Sequence, residues 1–153
     1  MLNPNQNRLD YGQILTPPAG FQLDFAVGTT YSLDLDALVG ACIALVLPEE
    51  TDSALLNNPI CLLEALRSTG DKVALFCESG QIHLPNNVTP LYVLLEKMVF
   101  QVTTRKHRGL SRYPSFHPKF WLLRYVNDEK EIMYRVAVLS RNLSFDRSWD
   151  VTF

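Results

Sequence analysis

The sequence predicts an α/β fold in which a mixed β-sheet is flanked by helices. Three observations lead there. Short runs rich in Val, Phe and Leu alternate along the chain with segments whose apolar residues recur at helical spacing. Clusters of Gly, Pro and Asn punctuate these runs. Hydrophobic residues make up 47% and charged residues 20% of the 153 positions, which suits one globular domain that buries a core without disulfides or a structural metal.

The elements follow in order. Met1 to Asn7 is polar and reads as a loose end. Thr16-Pro17-Pro18-Ala19-Gly20 joins neither a helix nor a central strand. Phe21 to Thr30 has strand character. Asp34 can cap a helix running to about Leu47 and stopped by Pro48, with Leu35, Leu38, Val39, Cys42 and Leu45 on its apolar side. Asn57-Asn58-Pro59 starts a second helix, Ile60 to Ser68, which ends at Gly70. Lys72 to Cys77 is a short buried strand. Thr89-Pro90 opens a short helix, Leu91 to Lys97, and Val99 to Thr103 is a strand. From Thr103 to Lys119 the chain turns basic and turn-rich. Two strands follow, His117 to Val126 and Glu131 to Leu139, and Trp149 to Phe153 has the pattern of another. Residues 1–153 read as a single domain without internal repeat. Because the chain stops inside an apparent strand, the natural polypeptide is expected to continue.

Composition narrows the function classes. A formal net charge of -2 provides no global basic field, so any nucleic-acid role needs a local patch. The N-terminus has no apolar run of signal-peptide type. The longest apolar stretch, Ala37 to Leu47, falls short of the roughly 20 residues of a membrane span. A cytoplasmic location without membrane contact is the expectation. Cys42, Cys61 and Cys77 are widely spaced among apolar neighbours and read as small buried hydrophobes.

The chemistry concentrates at one hairpin. If Asn127 to Lys130 is a four-residue loop, Val126 faces Glu131, Ser140 faces His117, and Val138 faces Lys119. Alternation then puts His117, Lys119, Ser140 and Asn142 on one face at one end, and a one-residue slip would scatter them. Trp121, Leu123, Tyr125, Val136 and Val138 fall on one side of the pair. Phe120, Leu122, Ala137 and Leu139 fall on the other. Such a pair is expected to be central and covered on both faces. Geometry alone leaves an equal alternative, a strand end emerging into solvent with Lys119 reaching for water.

His117-Pro118-Lys119 followed by Ser140-Arg141-Asn142 resembles the catalytic motif of the phospholipase D superfamily. That motif is a histidine, any residue and a lysine, with a later serine and asparagine on the neighbouring strand. The resemblance covers the second half of the chain; the first half matches only as a compatible arrangement of layers. It implies a metal-independent phosphodiesterase without cofactor. His117 would attack phosphorus and become a phosphohistidine, while Lys119, Asn142 and Ser140 would hold the phosphate oxygens. The sequence departs twice from the family pattern. Arg124 stands where an Asp is frequent, and Leu139 stands where Gly is favoured before the serine.

The family's chemistry also needs a second, protonated histidine. His83 and His107 lie in no second motif. The chain is therefore expected to hold half a site, completed by a homodimer partner or by sequence beyond Phe153. Arg105, Lys106, Arg108 and Arg112 precede the motif, and no acid falls between Thr103 and Lys119. This cluster would neutralise a polyanionic backbone, and Tyr113, Phe116 and Trp121 are nearby aromatics, Trp121 more in keeping with core than with base stacking. A nuclease-like DNA-cleavage domain is the leading expectation. A non-catalytic phosphate- or nucleic-acid-binding module and a phospholipid phosphodiesterase or transferase remain the alternatives.

Overall fold

The computed structural model describes residues 11–46, 59–86, 88–105 and 114–144. Its elements are α1 (Tyr11–Leu15), β1 (Gln22–Thr30), β2 (Leu33–Asp34), α2 (Leu35–Val46), α3 (Pro59–Thr69), β3 (Val73–Glu78), β4 (Ile82–His83), a 3-10 helix (Pro90–Leu95), β5 (Val99–Val102), β6 (Phe120–Val126) and β7 (Ile132–Val138). The α/β architecture is as the sequence pattern indicates. The segment expected as a helix over Leu91 to Lys97 is a tighter 3-10 turn that begins at Pro90, where the missing N–H costs nothing. Met1 to Asn7 and Trp149 to Phe153 lie outside the described residues.

Five strands form one sheet in the order β5-β3-β1-β6-β7. β1 runs parallel to β3, and β3 to β5. β6 and β7 add antiparallel on the other side of β1. β1 is thus central because both its edges are paired. A bulge at Asp24 breaks its register with β6 between Leu23 and Phe25. Lys72 Nζ donates to the Leu23 carbonyl there at 3.0 Å, and Asp24 turns out to meet Arg124 Nε at 2.5 Å.

The helices gather on one face. Leu38, Cys42 and Leu45 of α2, Leu66 of α3 and Leu15 of α1 pack against Leu75, Trp121, Leu123 and Tyr125. Gly28 allows this packing. A Cβ on it would stand 2.6 Å from Leu75 Cδ1 and 2.8 Å from two carbons of the Trp121 ring. Tyr125 donates its buried hydroxyl to Leu15 O at 2.9 Å. Arg135 Nη1 donates to Ile14 O and Thr16 O at 2.6 and 2.9 Å, satisfying the orphan carbonyls at the end of α1. Cys42 is fully buried, and burial pushes its thiol up to about 11, so it is no nucleophile at neutral pH.

The opposite face is open among the described residues. Phe25, Phe100, Leu122, Ile132, Tyr134, Val136 and Val138 all lie exposed there, Tyr134 at 62% and Val136 at 60%. Two expectations are corrected here. Among the described residues β7 is an edge strand, so the β6–β7 pair is not central there, and one of its faces is open. Its side assignment is also different: Ala137 lies opposite Trp121, so Ala137 and Leu139 belong to the buried side, while Val136 and Val138 lie opposite Leu122 and Phe120 on the open one.

Candidate active site

The hairpin register explains that difference. Val126 pairs with Ile132 and Phe120 with Val138, one residue away from the expected pairing. The loop closes at Asn127 and Glu131, leaving three residues between them. Lys130 N–H donates to Asn127 O at 3.1 Å, and Lys130 adopts a left-handed φ of 66°. This is the three-residue hairpin with a left-handed final position. The Asn127 side chain fixes it from both ends, accepting the Glu131 N–H at 2.8 Å and donating to Glu131 Oε2 at 2.7 Å. In consequence Leu139 N–H donates to Lys119 O at 2.9 Å, so Lys119 faces Leu139 and not Val138. Ser140 does not pair with His117.

His117–Lys119 and Asn142 each reach the end of β1 by a route other than the hairpin ladder. The ladder of β7 ends at Val138, and the chain then crosses toward β2. Leu143 bridges Leu33, its N–H donates to Thr30 Oγ1 at 2.9 Å, and Asp34 N–H donates to Leu143 O at 2.9 Å. Asn142 is carried to the end of β1 by this crossing. Its Oδ1 is buried and without a hydrogen-bond partner. Ser140 is exposed at the start of the crossing. His117 and Lys119 also come to the end of β1, from the other side. They precede β6 and are not part of the strand, whose first residue is Phe120. Phe120 N–H donates to Thr29 Oγ1 at 3.1 Å, and the His117 ring lies 5.1 Å from the Tyr31 ring, tilted by 36°.

The site therefore stands outside the carboxyl ends of parallel β1 and β3, at the place where β6 reverses the strand direction. Crevices at such ends are where open α/β sheets bind ligands. Lys119 Nζ lies 2.7 Å from His117 Nδ1 and 3.2 Å from Nε2. Within reach of both ring nitrogens at once, the ammonium lies over the imidazole and not in line with the lone pair of either nitrogen. Partial burial lowers the Lys119 ammonium below the ordinary lysine value. Both side chains remain reachable from solvent.

Other expected residues fare differently. Arg105 is exposed just past the end of β5, on the same edge of the sheet. Lys106, Arg108 and Arg112 lie outside the described residues, as do His107 and Tyr113. The segment that contains them is closed at its base, since Thr104 Oγ1 donates to Pro114 O at 2.8 Å. Trp121 is fully buried and belongs to the core, as its position in the pattern indicates. Arg124 pairs with Asp24 on the open sheet face, five residues along β6 from Lys119. The sequence did not single out Tyr31 or Thr30 for this site. The signal that could have found them is their place at the carboxyl end of a parallel strand.

A separate cleft of about 250 Å³ is lined by Asp34, Asp36, His83 and Asn86. His83 Nδ1 meets Asp34 Oδ1 at 2.9 Å. The Tyr92 hydroxyl donates to Asp36, and that bond, reinforced by burial, pushes the phenol up to about 12. Among the described residues no group of three or more His, Cys, Asp and Glu is arranged to hold a metal ion, and no helix is long and apolar enough to cross a membrane. No family model, curated protein or solved structure matches the chain.

Proposed function

We propose that this chain carries half of a metal-independent phosphodiesterase site that acts on nucleic acid. The observation that carries the reading is the His117–Lys119 contact at 2.7 Å outside the ends of β1 and β3. A phosphate oxygen is a stronger acceptor for an ammonium than an imidazole nitrogen is, because the bond becomes charge-assisted on both sides. When a phosphodiester binds, Lys119 turns to it and a ring nitrogen of His117 faces phosphorus. An N–P bond forms and the P–O bond to the leaving alcohol breaks. A second acid protonates the departing oxygen. Water then cleaves the phosphohistidine and returns the enzyme. Asn142 borders the same strand end and would donate its amide to the phosphate oxygens, with Ser140 adding a hydroxyl. The basic residues from Arg105 to Arg112 would hold the flanking phosphates of a polyanionic strand.

Cleavage of labelled single- and double-stranded DNA in excess EDTA tests this. The parent should cut and His117→Ala should not, while both keep the same fold. Equal cutting by the two would remove His117 from the nucleophile's role. One observation favours a second reading, a module that binds phosphate without turning it over. The other described histidine, His83, is bonded to Asp34 in a separate cleft. Without a partner that supplies the proton, the parent would bind DNA in a salt-sensitive way and leave it intact.

A further inference from the structure

His117 is not held by a strand ladder. Pro114 to Lys119 precede β6, and side chains from other strands secure them. Thr104 Oγ1 donates to Pro114 O at 2.8 Å. The Phe116 N–H donates to the Glu78 carboxylate. The His117 ring leans on Tyr31, with 5.1 Å between centroids. Tyr31 and Glu78 are tied in turn, since the Glu78 N–H donates to Tyr31 O at 3.2 Å. Among the described residues, the peptide immediately before His117 is therefore bonded to a carboxylate at the end of β3.

From this geometry we infer that Glu78 is the positioning residue for His117. Its carboxylate fixes the Phe116 peptide, and that peptide sets where the imidazole projects. The inference rests on the reading of His117 as the group that attacks phosphorus. The motif that His117-Pro118-Lys119 resembles often has an acid five residues after its lysine; here that position is Arg124, paired with Asp24 on the open sheet face. Glu78 is the described carboxylate bonded to the segment that carries His117. A bond from a backbone N–H to an ionised carboxylate is roughly twice as strong as a neutral one. It suits a segment that lies outside the strands, because a displacement of about 1 Å at a reacting group can cost about 100-fold in rate.

Glu78→Gln and Glu78→Ala separate this role from simple packing. Glutamine keeps a carbonyl oxygen that accepts the Phe116 N–H, and alanine does not. Amide hydrogen exchange at Phe116 is read first, because it needs no ligand. It should quicken at least about 10-fold in Glu78→Ala and stay near the parent in Glu78→Gln, with the β1 and β6 amides unchanged. Turnover of bis(p-nitrophenyl) phosphate in EDTA is read next. Glu78→Ala should lose about 10- to 100-fold in kcat with KM little changed, and Glu78→Gln should recover most of it. Unchanged exchange at Phe116 overturns the inference, and so does quickened exchange with undiminished kcat. Equal impairment of the two variants also overturns it, because the acceptor oxygen would then not be what matters. If the parent does not turn over substrate, the phosphodiesterase reading fails separately, and affinity for inorganic phosphate takes the place of kcat. Weaker binding in Glu78→Ala, restored in Glu78→Gln, then supports the positioning role. Equal binding in all three, or none by the parent, overturns it.

Discussion

Gly28→Ala should destabilise the protein by about 1–2 kcal/mol. The added methyl would stand 2.6 Å from Leu75 Cδ1 and 2.8 Å from Trp121 Cη2 and Cζ3. Both neighbours are fully buried, at 0% exposure, so neither side chain can swing into solvent to make room. Contacts this far under 3.0 Å put the cost of forcing a methyl into the core in the upper part of the usual range, about 2–3 kcal/mol. Replacing a strand glycine returns about 0.5–1 kcal/mol through lost freedom of the unfolded chain. The remainder is unfavourable and corresponds to a fall in Tm of roughly 2–8 °C for a chain of this size. Urea unfolding followed by tryptophan fluorescence measures it, with the slope showing whether the transition stays two-state. A midpoint equal to or above the parent's, at unchanged slope, would refute the claim that β1, β3 and β6 meet at this glycine. Trp121 lies two residues after Lys119, so the same substitution should also weaken phosphate binding.

Three further outcomes are expected. Lys119 has its ammonium lowered by burial, so phosphate affinity should fall at a pH below the ordinary lysine value of 10.5. The sign for stability is opposite: the charged form is disfavoured in the folded state, so this group's unfavourable contribution fades as pH rises from its folded value toward 10.5. A titration of inorganic phosphate binding between pH 7 and 11, compared with Lys119→Arg, checks the affinity limb. Tyr125 is pushed up to about 12 by burial, so its contribution to stability is complete below pH 10 and lost as pH rises toward about 12. Tyr125→Phe should lose about 1 kcal/mol at neutral pH with the bond to Leu15 O, and its alkaline unfolding should begin at higher pH, as read by circular dichroism. Lys130→Gly should stabilise the hairpin by about 0.5–1 kcal/mol in thermal melts, because lysine is held at φ 66° and glycine adopts that conformation freely.

What the sequence disclosed and what it hid have separate physical causes. Helices and strands over 21–78 are local patterns, and Pro48, Pro59 and Gly70 punctuate them at steric cost, so their order was readable. The convergence of His117, Lys119, Ser140 and Asn142 was expected from the hairpin ladder, but the ladder ends at Val138 and a crossing after β7 carries Asn142 to the end of β1. The register was misread because a lysine occupies the left-handed position of the loop; a glycine there would have announced the three-residue turn. The open face was misread because apolar residues on both sides of a strand look the same whether or not something covers them. Glu78 and Tyr31 carry no motif at all. Their meaning comes from the sheet order, which sets the ends of β1 and β3 beside a segment far along the chain.

The same order has a temporal consequence. Among the described residues β1 is the first strand to be made and the only one with a parallel neighbour on one edge and an antiparallel neighbour on the other. Its β3 edge can close once Val73 to Glu78 has left the ribosome. Its second edge stays unpaired until Phe120 to Val126 arrives. During that interval a strand containing Phe25, Ala26 and Val27 presents free backbone groups, the state most open to mispairing with other chains. Pairings this distant in sequence form slowly, because loop-closure entropy is lost before contacts reward it. The candidate site, made by the residues on either side of the last described hairpin, is therefore the final part of the described fold to come into being.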